Sequence, residues 1–359
     1  MKKSNNNQYL IIAIETMWGA IEWILPLCKY LKDCNKELQI VFVLFRYNAK
    51  DIFKGNSFLE MLVNEVSNNR CYDISYFAPS WSRLILKYLR WFNKKTFSYG
   101  YKIWDRFSMK CFYRTHIEKW MNEVSPFVIL QDNLRGSSLR FKVMMKSAKK
   151  KGCRLVRFSS ATSFTYYPGL WVDLKSHDFI TSDFEADLNI VDNKWDADYL
   201  KLNKQKAIVV GTPKFDESWI TYLEERSDLS GAGDFITDKY ILILLKNQQS
   251  AIFNHVDFAG LLKEIIKTSL LFEEFCIVLK PHPRQDLTLL NSIIQEYSSS
   301  RILISNNPSF SLINKAKIIV AMPSGVILDA LIAGKPVIEY FHFNVLDRLL
   351  KSRFKSIPK

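Results

Sequence analysis

The chain has 359 residues, of which 48% are apolar and 24% charged, and its formal net charge is +14. This is a globular composition that excludes a disordered or fibrous chain, and the length suits two domains with cores of their own. The positive excess narrows the charged partners to polyanions: nucleic acid, an anionic lipid surface or phosphorylated substrates.

Six cysteines, Cys28, Cys34, Cys71, Cys111, Cys153 and Cys276, form no CxxC pair and stand at no zinc-ligand spacing from a histidine. They read as reduced thiols of a cytosolic protein. Lys2 and Lys3 precede an asparagine run and a short apolar stretch, which do not make the core of a signal peptide. No apolar run approaches the ~20 residues that span a bilayer. The expected location is the cytoplasm, with attachment to the inner face of the membrane left open.

Short β-branched runs alternate with helical patterns along the chain, the rhythm of βαβ units and parallel sheets. In the first half, strands are predicted at residues 9–14, 38–45, 127–130, 153–158, 179–182 and 207–210. Helices are predicted at 20–31 and 137–151. Residues 228–238 carry Gly, Ser and Asp with little apolar content and read as a linker. The rhythm then restarts. Strands are predicted at 240–245, 275–279, 301–304, 317–320 and 336–339, and helices near 258–268, 287–297 and 326–333. The organisation expected is an N-terminal domain over 1–227, a linker over 228–238, a C-terminal domain over 239–340, and a terminal helix over 341–359 that returns to the first domain. Open parallel sheets bind ligands at the C-terminal ends of their strands, so motifs at those ends carry most weight.

The first such motif is Leu279-Lys280-Pro281-His282-Pro283-Arg284, directly after a strand. Two prolines fix the backbone around a histidine able to donate to a phosphate or a base edge, with Lys280 and Arg284 adding positive charge. A histidine that merely fills a rigid turn would read the same. The second runs from Ile318 through Pro323, Ser324, Gly325 and Asp329 as strand, tight turn and helix. Ser324 suits an N-cap, Gly325 admits a ligand to the backbone, and the free amides of the helix suit a diphosphate, with Asp329 one turn in to meet a ribose hydroxyl. An ordinary capped helix shares this pattern. Lys246 and Asn247 follow another strand and are polar enough to cover donor phosphates or ribose.

Together, these segments, ending in PSGVILDALIAGKPVIEY, resemble the donor domain of GT-B enzymes that build bacterial surface polysaccharides such as capsule and lipopolysaccharide. Similar patterns occur in CDP-glycerol glycerophosphotransferases, in Kdo and sialic acid transferases with an HP motif, and in UDP-N-acetylglucosamine 2-epimerases. Gly211-Thr212-Pro213-Lys214-Phe215-Asp216 resembles the turn that closes the N-terminal domain in these families. The resemblance implies an α/β fold of two Rossmann-like domains facing a cleft (GT-B). It also implies a nucleotide-sugar donor, linked to CMP, CDP or UDP, held by His282, Ser324, Gly325 and Asp329, with no bound cofactor and no metal. It is loose before residue 205 and close after 275. An epimerase would carry a glutamate after residue 158, where this chain has Ser159-Ser160-Ala161-Thr162.

An inverting transfer needs a general base at the acceptor hydroxyl. Glu15 and Asp132 are carboxylates at the C-terminal ends of predicted strands; a helix cap or a solvated loop would also place them there. His116 and His177 are weaker candidates. Residues 81–120 hold ten Lys or Arg, two acids and twelve aromatics. Arg83, Lys87, Arg90 and Lys94 fall on one helical face and aromatics on another, which suits an anionic membrane and a lipid-linked acceptor. A solvated basic face over an apolar core is the alternative. Nucleic acid is not expected as a partner, because no recognition motif accompanies the charge. The function expected is a glycosyltransferase that moves a sugar from a nucleotide-activated donor to a glycan or lipid-linked acceptor. A CDP-glycerol-type phosphotransferase, a 2-epimerase-like enzyme and a non-catalytic basic surface-binding protein remain alternatives.

Overall fold

A computed structural model describes residues 8–15, 18–45, 53, 56–77, 107, 112–132, 139–158, 186–202, 204–229, 239–246, 257–282, 285, 287–297, 299–322 and 325–340. The chain divides into two compact units, the first closing at Asp216 and the second opening at Glu217.

Unit 1 runs β1 (Tyr9–Ile14), α1 (Trp18–Cys34), β2 (Gln39–Leu44), α2 (Ser57–Ser67), β3 (Cys71–Asp73), α3 (Arg114–Val124), β4 (Val128–Gln131), α4 (Leu139–Lys150), β5 (Arg154–Phe158), β6 (Leu188–Val191), α5 (Lys194–Leu202) and β7 (Ala207–Val209). All seven strands are parallel, in the order β3-β2-β1-β4-β5-β6-β7. A parallel sheet is covered on both faces, so its central strands are apolar throughout rather than alternating. In β1, Ile11 and Ala13 face one layer and Ile12 and Ile14 the other, and all four are fully buried. The Ile11 face packs against α3 and α4 through Ile117, Met121, Phe141, Met144 and Met145.

On the opposite face α1 reaches farther than residues 20–31 and continues through Pro26. Trp23 of this helix stacks on Phe158 at 5.4 Å between ring centroids, and its Nε1 donates to Asp192 Oδ1 at 2.7 Å. One side chain therefore joins α1 to the C-terminal ends of β5 and β6. Gly211 at φ +75° leads into a 3-10 turn over Pro213–Phe215 that packs against α1. This is the expected closing turn, and it ends unit 1.

Unit 2 runs α6 (Glu217–Leu229), β8 (Tyr240–Leu244), α7 (Phe258–Ser269), β9 (Cys276–Lys280), α8 (Leu287–Gln295), β10 (Ile302–Ile304), α9 (Ser309–Lys315), β11 (Ile318–Ala321), α10 (Val326–Ile332) and β12 (Val337–Glu339). Its five parallel strands are ordered β10-β9-β8-β11-β12. Every residue of β8 is buried. Asp257 caps α7 by accepting from Gly260 N–H at 3.0 Å, and Gly334 at φ +65° ends α10 in the left-handed conformation that glycine adopts without strain. α6 runs to Leu229, so the first two residues of the expected linker are helical. The strand expected at 179–182 and the terminal helix expected after 340 lie outside the described residues.

Candidate functional site

Each sheet reverses its strand order once, and that reversal is where ligands enter an open parallel sheet. In unit 1 it lies between β1 and β4, in unit 2 between β8 and β11.

At the unit 1 reversal stand the two carboxylates predicted from sequence. Asp132 follows β4 and its backbone N–H donates to Ala13 O at 3.3 Å, which continues the ladder beyond the strand. Its Oδ1 accepts from the backbone N–H of Glu15 at 2.7 Å. The carboxylate therefore bridges the ends of β1 and β4 across the reversal, and Asp132 is fully buried. Glu15 is only half-buried, with Oε2 shielded from solvent. The pair divides its work: Asp132 fixes the backbone of Glu15, and Glu15 presents a second carboxylate at the same edge.

At the unit 2 reversal the ladder also runs past the strand ends. Leu245 N–H donates to Lys280 O at 3.0 Å and Met322 N–H to Leu244 O at 3.1 Å. Lys246, His282 and Gly325 follow at the same edge. Pro281 is buried, and His282 is half-buried with its carbonyl accepting from Gln285 N–H at 2.7 Å. Burial lowers the Lys246 ammonium, while the charge of Glu339 opposes that shift. Lys280 is not a free field charge. Its Nζ donates to the carbonyl of Asn306 at 3.0 Å, which ties β9 to the turn after β10. Burial lowers it to about 8.

This shift has a stability consequence. The unfolded chain keeps its lysine protonated up to about 10.5, so between 8 and 10.5 the unfolded state binds more protons and stability rises with pH. The wild type is expected to gain stability relative to Lys280→Met across that window. Urea unfolding of both proteins at several pH values checks it; parallel curves would refute it.

The glycine turn differs in detail from the sequence expectation. The cap position of α10 falls on Gly325, at φ −60° and ψ −20°, with no side-chain capping bond. Ser324 was expected there but, like Arg284 and Asn247, lies outside the described residues. An added Cβ at Gly325 meets nothing within 4 Å among the described residues. Neither backbone angle nor packing therefore demands glycine. Asp329 sits half-buried one turn along α10.

Arg83, Lys87, Arg90 and Lys94 lie outside the described residues. The end of that segment is described and belongs to the core. Tyr113 and Trp120 are buried, and Arg114 and Lys119 pair along α3 with Glu118 and Glu123. His116 Nδ1 lies 2.9 Å from Phe112 O, within its own turn and away from the carboxylates. Among the described residues no helix is long and apolar enough to cross a membrane, and no group of three His, Cys, Asp or Glu side chains is arranged to hold a metal.

Sequence reasoning missed a polar row in unit 1. Gln131, Arg157 and Asn189 are in register on β4, β5 and β6, and all are buried. The signal was present as Gln131 at the end of the apolar strand VILQ and Arg157 between Val156 and Phe158 in RLVRF.

No protein-family model matches the chain, and no curated protein matches its sequence. Solved structures do match in fold. The UDP-GlcNAc 2-epimerase from Methanocaldococcus jannaschii aligns with 92% of this chain and 83% of its own, at 15% identity and a TM-score of 0.58. The UDP-GlcNAc 2-epimerase from Neisseria meningitidis, bound to UDP-GlcNAc, aligns with 92% of this chain and 82% of its own, at 15% identity and a TM-score of 0.55. The glycotransferase of kitacinnamycin aligns with 97% of this chain and 84% of its own, at 11% identity and a TM-score of 0.50. These likenesses establish the fold: two Rossmann-like parallel α/β units of the GT-B type.

Proposed function

We propose that this protein is an enzyme of nucleotide-sugar chemistry, a glycosyltransferase whose unit 2 binds the activated donor and whose unit 1 supplies the base. The observation that carries this reading is the pair of residue sets that stand at the two strand-order reversals. Carboxylates stand at one, in Glu15 and Asp132, and cations with a histidine and an open glycine at the other, in Lys246, Lys280, His282 and Gly325. The second set suits a diphosphate leaving group, which needs positive charge as its bond to the sugar breaks. The first suits removal of a proton from an acceptor hydroxyl.

In this reading His282 and the amides after Gly325 hold the phosphates, joined by Ser324, and Asp329 meets the ribose. Lys246, Asn247 and Arg284 add contacts, and Lys280 holds the turn beside them. The solved epimerases with UDP-GlcNAc support a UDP-linked donor over CMP or CDP. The acceptor is a glycan or lipid-linked molecule, and the spacing of Arg83, Lys87, Arg90 and Lys94 in the sequence supports an anionic membrane surface.

A second reading is favoured by the same neighbours: 2-epimerisation of a UDP-sugar. Inverting C2 breaks its C–H bond and returns a proton from the other face, whereas transfer leaves C2 untouched. Incubation with UDP-GlcNAc in deuterium oxide, read by mass spectrometry, separates the two. A transferase releases UDP with no deuterium in the remaining donor. Deuterium at C2 without acceptor would overturn the transferase reading.

A further inference from the structure

The polar row of unit 1 has no part in the roles above. Gln131 ends β4, and Arg157 lies beside it in register on β5. Side chains two apart on a strand share a face, so Gln131 follows Ile129 and Arg157 follows Leu155 onto the face covered by α3 and α4. Each is 1% exposed. Gln131 Nε2 is buried and finds no acceptor among the described residues. A buried amide N–H without an acceptor is costly, so a fold keeps one where something fills it.

The helix above this pair begins where β4 ends. Leu139 opens α4, a helix of 12 residues whose first amides have no partner within the helix. Its second residue, Arg140, is also buried, with its guanidinium 4.7 Å above the ring of Tyr113. Gln131 and Arg157 are thus neighbours in register at the C-terminal edge of β4 and β5, the edge toward which the connection from β4 to the start of α4 leaves the sheet. Arg157 is lowered by burial to about 10, which a bound anion would reverse.

We infer that unit 1 holds an oxyanion site at Gln131, Arg157 and the start of α4, and that it takes a phosphate group of the acceptor. The chemistry is complementary: every group named donates, and a phosphate only accepts. Calling the anion part of the acceptor rests on the transferase reading; the site itself does not. Gln131 precedes Asp132 in the chain, so the site and Glu15 stand at the same C-terminal edge of the sheet.

The test is calorimetric titration of the full chain with inorganic phosphate at saturating UDP, which keeps phosphate out of unit 2. The wild type is expected to bind phosphate saturably. Gln131→Met, close in volume, weakens binding about tenfold or more, as loss of a hydrogen bond to a charged group does. Gln131→Glu abolishes it by placing a carboxylate in the site. A unit 1 unfolding transition unchanged from the wild type shows that the variants are folded, and Gln131→Met carries the test if Gln131→Glu is not. No phosphate binding by the wild type, or equal binding in all three proteins, overturns the inference. If UDP itself does not bind, the donor assignment in unit 2 fails, and the same titration without UDP still decides the oxyanion site through its dependence on Gln131.

Discussion

Glu15→Gln is expected to lower kcat for sugar transfer by about 10²–10⁴-fold, the usual contribution of a general base, while the Kd for nucleotide stays unchanged. The geometry decides which carboxylate to test. Asp132 is fully buried, and one of its oxygens is taken by the backbone N–H of Glu15. A carboxylate held in that way orients a neighbour rather than meeting a substrate. Glu15 is the more exposed of the two and shares the same edge. Asp132→Ala should therefore act through Glu15, lowering both kcat and stability, because it removes the side-chain bond that holds the Glu15 backbone to the end of β4. Single-turnover kinetics with donor and acceptor, combined with melting curves, separate these effects. A large kcat loss in Asp132→Asn with none in Glu15→Gln would transfer the role of base to Asp132.

The largest effect on stability is expected at Trp23. Its truncation to alanine should destabilise unit 1 by about 3–5 kcal/mol, the range for a large buried aromatic. Trp23 is fully buried, stacks on Phe158 and donates to Asp192, so it fastens α1 across two strand ends. Trp23→Phe keeps the ring and loses the donor, and should cost less, about 1–3 kcal/mol. Two units predict two unfolding transitions, of which the Trp23 variants shift one. Urea unfolding followed by circular dichroism measures this. Equal shifts in both transitions, or none, would contradict the placement of Trp23 as a fastener of unit 1 alone.

Much of the fold is legible in the sequence, because a parallel sheet writes itself as apolar runs. YLIIAI, QIVFVL and YILIL are buried on both faces and stand out against their surroundings. Shorter elements do not stand out. The strand CYD of β3 is half-buried, β6 carries the polar Asn189 at its second position, and α9 has only seven residues. Tertiary pairing rather than local pattern defines them. The helix predicted at 20–31 runs through Pro26, because burial of Trp23, Ile24, Leu25 and Cys28 outweighs the lost backbone bond.

The site was legible by position more than by contact. Strand ends pointed to Glu15, Asp132, Lys280 and His282 because ligands gather where strand order reverses. Nothing in the sequence revealed that Asp132 holds the backbone of Glu15, or that Lys280 is bound to Asn306; both bonds span residues far apart in the chain. Gln131 and Arg157 were passed over for a related reason. Single polar residues inside apolar strands look like edge positions until pairing places them together in the interior.

The most direct test of the donor site is a thermal-shift panel with CMP, CDP, UDP, GDP and ADP on the wild type, His282→Ala and Gly325→Val. Ligand at 100 times its Kd adds about 2.7 kcal/mol to the folded state. The open space at Gly325 lets valine enter with little loss of stability, so only binding should suffer. A donor site at this edge predicts selective stabilisation of the wild type by UDP, lost in both variants, while their melting without ligand stays near that of the wild type. Stabilisation by UDP that survives in both variants, or no response of the wild type to any nucleotide, would contradict it.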